Sequence, residues 1–313
     1  MTKLEDWDDH VLEPNASSAI DEWTSLGAER LLDLVRDRFA VHWLEVEALL
    51  AESDLYSSTD RPHVQPHHLS TARIQLLQTG QIAEQSAITR GGRSIKLLVP
   101  GNQSGISTKV QREAARKRLL AARYLSWASG SSTYPAGIIG PTGERVVRRS
   151  LVAAGTLRLI RPDGGPVDRL LGVSLAGPLD SGGLLPTGDF DNPGPVVAVP
   201  IEVKSVQDWI YPTSKELFQV LHKAATIQRG TRGDALVVPL LVCRRAHYTT
   251  FKMAKDLGFF VLDVLLQYVS AAATTEEHFD EVRNGLAFED LRREPETDPR
   301  IVKRIRENLA RTR

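Results

Sequence analysis

A chain of 313 residues with equal numbers of basic and acidic residues, 42% hydrophobic residues and one cysteine has the composition of an ordinary globular protein, long enough for two domains. Cys243, alone and inside an apolar run, excludes an internal disulfide framework and a CxxC metal site. The longest apolar run, ALVVPLLVC, is less than half a membrane span, and the acidic opening MTKLEDWDDH lacks the regions of a signal peptide, so the expectation is a cytoplasmic protein with no membrane partner.

Residues 17–52 carry apolar positions at helical spacing and predict two helices, SSAIDEWTSLGAERLLDLVRDRF and HWLEVEALLAE. A third, short helix is expected in HHLSTARIQLLQTG, closed by Gly80. Two β-like runs, QIAEQSAIT and RSIKLLVP, follow it, joined by the tight-turn sequence RGG. Helix, helix, helix, hairpin is the order of a winged helix-turn-helix, so residues 17–100 are expected to form a mostly α winged-helix DNA-binding domain. In that arrangement His67, His68, Ser70, Thr71, Arg73, Gln75 and Gln78 offer the third helix's polar groups to a major groove, while Arg90, Arg93 and Lys96 decorate the wing. The same module also serves protein–protein contacts.

Charge is distributed unevenly along this region. Residues 1–60 carry about −11 and residues 61–150 about +11. A block that basic suits a polyanion such as DNA, or else the two blocks neutralise each other across an interface.

The basic amphipathic stretch QREAARKRLLAARYLSWASG, 111–130, is expected to link two halves, and SGSSTYPAGIIGPTG marks a boundary, which makes 101–139 the expected linker. From residue 140 the pattern becomes mixed α and β. GERVVRRSLVAAG predicts a helix with Thr142 as N-cap and Gly155 past its end. TLRLIRPDGGPVDRLLGVSLAG predicts two strands around the turn PDGG, and 178–194 predicts a long loop. The strand VVAVPIEVKS, the helix PTSKELFQVLHKAATIQ, the strand ALVVPLLVC, the helix YTTFKMAKDLG and the strand FFVLDVLLQYV follow. A charged, mostly helical tail is expected over 271–313.

VVAVPIEVKS poses the functional question. Alternate side chains of a strand point to opposite faces, so Glu202 and Lys204 stand together at the end of a buried run. The acid that joins them depends on strand pairing. If 168–177 and 195–204 form an antiparallel hairpin, Asp168 comes beside Glu202 and Lys204. Asp191, in DFDNPGP, is the second choice, and Asp180, Asp189 and Asp191 all read as loop.

Glu144 in GERVVRRSLVAAG, Asp168 in PVDRLLGV, Glu202 and Lys204 in IEVKS and Gln219 in ELFQVLHKA follow one another through an α-β-β-β-α-β order. Over about residues 140–270 this resembles the PD-(D/E)xK nuclease superfamily, most of all its Mrr-type and Holliday-junction-resolvase-type branches. The resemblance implies an α/β fold with a restriction-endonuclease-like αβββαβ core, a mixed central sheet flanked by helices, that hydrolyses DNA with Mg²⁺ or Mn²⁺. Asp168 and Glu202 would hold the metal, and Lys204 would orient the attacking water or stabilise developing charge. Glu144 would complete the metal shell or activate the water. Gln219 would support the site, and Lys223, one turn later, would touch phosphate.

This layout suits a restriction-like or foreign-DNA defence enzyme, or a repair nuclease. One active site per chain favours a homodimer where both strands are cut. Two other readings stay open: a non-catalytic DNA-binding or assembly protein that keeps a nuclease-like scaffold, with Glu202 and Lys204 an ordinary salt bridge, and a winged helix that docks a partner protein whose assembly licenses cleavage. No GxxxxGK[ST] is present, so the chain is not expected to hydrolyse ATP.

Overall fold

The computed structural model describes residues 18–52, 63–89, 92–101, 107–187, 191 and 194–309. Internal packing divides the chain into two units, 1–126 with 275–289 and 127–274 with 290–313.

The first unit begins with α1 (Ser18–Arg38), β1 (Val41–His42), α2 (Trp43–Leu50) and α3 (Pro66–Gln78), followed by β2 (Ile82–Ile88), β3 (Ser94–Pro100) and α4 (Thr108–Ser129), whose last residues enter the second unit. His42 starts α2 by accepting the Leu44 N–H on its Nδ1 at 3.3 Å. Pro66 opens α3, where a missing N–H costs nothing. The β2–β3 hairpin runs from Ile82↔Pro100 to Ile88↔Ser94, and β1 adds to β3, giving the order β1-β3-β2. Ile95, Leu97 and Val99 point inward from β3 against Val110, Ala114 and Ala121 of α4. Residues expected to serve as a linker therefore cover a sheet face.

The second unit opens with α5 (Ile139–Ala154), ended by Gly155 in the left-handed conformation at φ 69°. Its N-cap is Ile138; Thr142 lies inside the helix, where its hydroxyl accepts from Arg145. Then come β4 (Arg158–Leu159), β5 (Val167–Leu170), β6 (Val173–Leu179), β7 (Ser181–Leu185), β8 (Val197–Ile210), α6 (Lys215–Gly230), β9 (Leu236–Val237), β10 (Leu240–Ala246), α7 (Tyr248–Asp256), β11 (Phe260–Asp263) and β12 (Gln267–Val269). The central sheet runs β11-β10-β8-β7-β4, with β9 also on β8. It is mixed: β10 is parallel to β8 and β11, whereas β7 is antiparallel to β8 and β4.

The chain then returns to the first unit as α8 (Glu276–Gly285) and to the second as β13 (Leu291–Arg293) and α9 (Pro299–Asn308). The C-terminal residues are thus shared between two cores instead of forming a separate tail. In the first unit Lys117, buried on α4, binds Glu45 and donates to the Gly285 carbonyl at 2.6 Å, and Phe288 packs edge-on to Tyr124 at 4.7 Å. Glu45 also pairs with Arg38, so part of the basic block neutralises acid within its own core. In the second unit Ile301, Ile305 and Leu309 join Val147, Leu151, Val199, Ile201 and Val203 in one buried cluster. The other sheet face packs Leu241 and Cys243 against Leu217 and Val220 of α6 and Ala254 of α7. Each buried Leu, Ile or Val of these clusters contributes roughly 1.5–3 kcal/mol by leaving water. Cys243 is an apolar core residue here, as its setting in the sequence suggests.

The strand pairing corrects one central expectation. PDGG does turn, with the Gly164 N–H on the Arg161 carbonyl at 3.2 Å, but the strands on either side of it do not pair. β4 joins the central sheet, and β5 and β6 form a separate two-stranded sheet around Leu171 and Gly172, both at positive φ. The partner of β8 is β7, which lies inside the segment expected to be loop, from Ser181↔Ile201 to Leu185↔Val197.

Candidate functional site

Two elements hold the central pair. On β8, Glu202 is 5% exposed and Lys204 lies 3.5 Å from its Oε1. From α6, Lys223 reaches Glu202 Oε2 at 3.3 Å and also donates to the Pro178 carbonyl at 2.6 Å. One buried carboxylate is therefore held by an ammonium on each oxygen. Gln219, one turn before Lys223 on α6, is exposed.

Asp180 supplies the nearby acid. It sits between β6 and β7, where the chain passes from the small sheet to the central one. Because β7 begins pairing at Ser181↔Ile201, the edge of β8 beyond Ile201 is left for other acceptors, and the Asp180 carboxylate takes the Val203 N–H at 2.7 Å. Asp168 lies exposed on β5, whose partner is β6, so the hairpin that would have carried it to Glu202 does not form. Asp191 is exposed in a bend ahead of β8.

Glu144 enters from the first turns of α5. The helix approaches β8 closely at Gly143, where a Cβ would overlap the Ser205 side chain, and only glycine permits that spacing. Burial, and then the Asp180 charge, push the Glu144 carboxyl above the usual range, against Arg148 and Lys204. Burial and Asp180 likewise raise Glu202, while Lys204 and Lys223 pull it back down. Glu144, Asp180 and Glu202 thus face Arg148, Lys204 and Lys223 in one electrostatic cluster, with Arg148 also 3.5 Å from the Asp180 carbonyl.

Among the described residues no three acidic, histidine or cysteine side chains converge closely enough to hold a metal ion by themselves. Mg²⁺ needs only one or two protein carboxylates, with water and substrate oxygens completing its octahedron. Glu202 and Asp180 form a set of that size and hardness.

In the first unit, Ser70, Thr71 and Gln75 are exposed on α3 and His68 is half-buried. Arg73 lies over the Trp43 ring at 5.1 Å and 3.6 Å from Glu84, which also pairs with Lys96 at 2.9 Å. Arg93 donates to the Leu125 carbonyl at 2.6 Å, and Arg90 lies outside the described residues.

No protein-family model matches the chain, and no curated protein does. Two solved structures are similar to it. The EndoMS-dsDNA2 complex shares 10% identity over 58% of this chain and 64% of that one, with a TM-score of 0.22. Restriction endonuclease FokI shares 11% identity over 88% of this chain and 45% of that one, with a TM-score of 0.25. The chain spans less than two thirds of either. Likeness this slight assigns no residue a role.

Asp180 and Arg148 are the members of the cluster that sequence reasoning missed. The available signal was alternation: Leu175, Leu179, Ser181 and Leu185 keep a strand period through a segment whose glycines suggest a loop. No helix among the described residues is long and apolar enough to cross a membrane.

Proposed function

We propose that this chain is a Mg²⁺- or Mn²⁺-dependent DNA nuclease with a restriction-endonuclease-like second unit. The observation that carries the reading is the meeting of Asp180, Glu202 and Lys204 at the open edge of β8. Asp180 and Glu202 are the carboxylates that would hold the ion, which when bound neutralises phosphate charge and acidifies a coordinated water. Lys204 would orient the attacking water or face the charge that develops on phosphate. Glu144, whose carboxyl is raised by burial, suits proton exchange with that water. Lys223 borders the site on α6, and Gln219, one turn earlier, would support it.

The first unit would grip duplex DNA as a winged helix. Support comes from the order α1-β1-α2-α3-β2-β3, the sheet order β1-β3-β2 and the exposed polar groups of α3. A restriction-like defence or repair role fits a DNA grip joined to a cutter, and cutting both strands calls for two copies or a partner protein.

A second reading draws on the engagement of both Glu202 oxygens by lysines: a non-catalytic DNA-binding protein that keeps the scaffold. Incubation of supercoiled and linear DNA with Mg²⁺ or Mn²⁺, beside Lys204→Ala, separates the two. Metal-dependent cutting lost in the variant supports the nuclease. DNA binding without cutting on any substrate overturns it.

A further inference from the structure

Lys223 does more than border the site. Its ammonium is 3.3 Å from Glu202 Oε2, its side chain is 12% exposed, and it keeps a second acceptor in the Pro178 carbonyl at 2.6 Å. Lys204 engages the other oxygen from the same strand as Glu202. A divalent ion binds a carboxylate oxygen at about 2.0–2.1 Å. An ammonium on that oxygen opposes such an ion, because two like charges would stand close together on one carboxylate. Lys223 is the lysine with an alternative hold.

We propose that Lys223 is a placeholder cation: it holds Glu202 Oε2 in the metal-free protein and yields it to a divalent ion, keeping the Pro178 carbonyl as its pivot. This rests on the nuclease reading. Placed this way, Lys223 adds a second counter-charge to a buried carboxylate, on the oxygen that Lys204 does not hold, and keeps that oxygen aimed at the ion's position. Lys223 acts through Glu202, so its role is that of a positioning residue.

The arrangement predicts competition. A carboxylate held by its lysine for about nine-tenths of the time binds metal about tenfold more weakly than one that is not held. Titration of the full chain with Mn²⁺ at pH 8, following the paramagnetic resonance signal of free Mn²⁺, measures this directly. Lys223→Met should bind Mn²⁺ about tenfold more tightly than wild type, and Lys223→Arg should stay near wild type. Unchanged or weaker Mn²⁺ binding by a normally melting Lys223→Met protein overturns the placeholder. If wild type still cuts DNA, the nuclease reading survives that result. Wild type that neither binds Mn²⁺ nor cuts overturns both. Should Lys223→Met melt early, Lys223→Gln, which retains a donor for the Pro178 carbonyl, is judged by the same outcomes.

Discussion

The carboxylate of Asp180 takes the backbone N–H of Val203 at 2.7 Å, at the edge of β8 just past the point where β7 pairs with it. The bond fixes an acid beside Glu202 without spending a strand on it. Asp180→Asn keeps an acceptor for Val203 but removes the charge. In a plasmid-nicking assay with Mg²⁺ it should lose at least about a hundredfold in rate, while Asp168→Asn cuts at nearly the wild-type rate. The reverse ranking would return the metal site to Asp168.

Gly143 and Ser205 test how closely α5 must approach β8. Gly143→Ala forces a Cβ into the Ser205 side chain and should cost about 1–3 kcal/mol in urea denaturation. Ser205→Gly in the same chain should restore most of that loss, because it removes the atoms that clash. Independent, additive costs would show that the contact is not what constrains the helix.

Asp263, at the end of β11, carries a pH signature. Burial pushes its carboxyl from 3.8 up to about 6, against the pull of Arg245. The folded state therefore keeps a proton that the unfolded chain has released. The associated stability is present below pH 3.8 and is lost as pH rises through about 6, a loss of about 3 kcal/mol at most. Asp263→Asn keeps an acceptor for the Leu265 N–H that Oδ1 now takes at 3.2 Å. It should raise the melting temperature at pH 8 and leave it unchanged at pH 4. An equal gain at both values would trace the effect to packing.

Glu84 restrains the proposed DNA grip. It pairs with both Arg73 and Lys96, so two cations expected to face DNA are partly neutralised within the first unit. Glu84→Gln should tighten duplex binding by fluorescence anisotropy and steepen its salt dependence, while Arg73→Ala should weaken it. If neither change moves the affinity, DNA contacts α3 and the hairpin little or not at all.

Much of the architecture was legible because it rests on period and capping. α1, α2, α3 and the β2–β3 hairpin lie where apolar spacing and turn residues place them, and β8 brings Glu202 and Lys204 together as the alternation demands, although the strand runs on past them to Ile210. Strand partnership was not legible. The match in length between 168–177 and 195–204 suggested a hairpin, but β5 folds onto β6 through the tight Leu171–Gly172 turn, and that local closure removes it from competition for β8. The glycines of SGGLLP argue for loop by composition. In the folded chain they admit close neighbours: Gly182 faces Val167 and Leu170, and Gly183 faces Leu157 and Leu159. Likewise α9 shows its amphipathic pattern in PRIVKRIRENLARTR, yet nothing local to that pattern says which core it covers.

The chain passes from one unit to the other at 126/127, 274/275 and 289/290. Neither unit is one continuous stretch, so they are laced together, not strung in tandem. A break between residues 139 and 140 would strip α8 from the first unit, taking the Gly285 carbonyl from Lys117 and Phe288 from Tyr124. Genetic exchange at a single crossover could not trade either half intact. Such a thread ties the inheritance of the two parts together: a new recognition unit would have to arise by substitution in place, because the existing one cannot be lifted out whole.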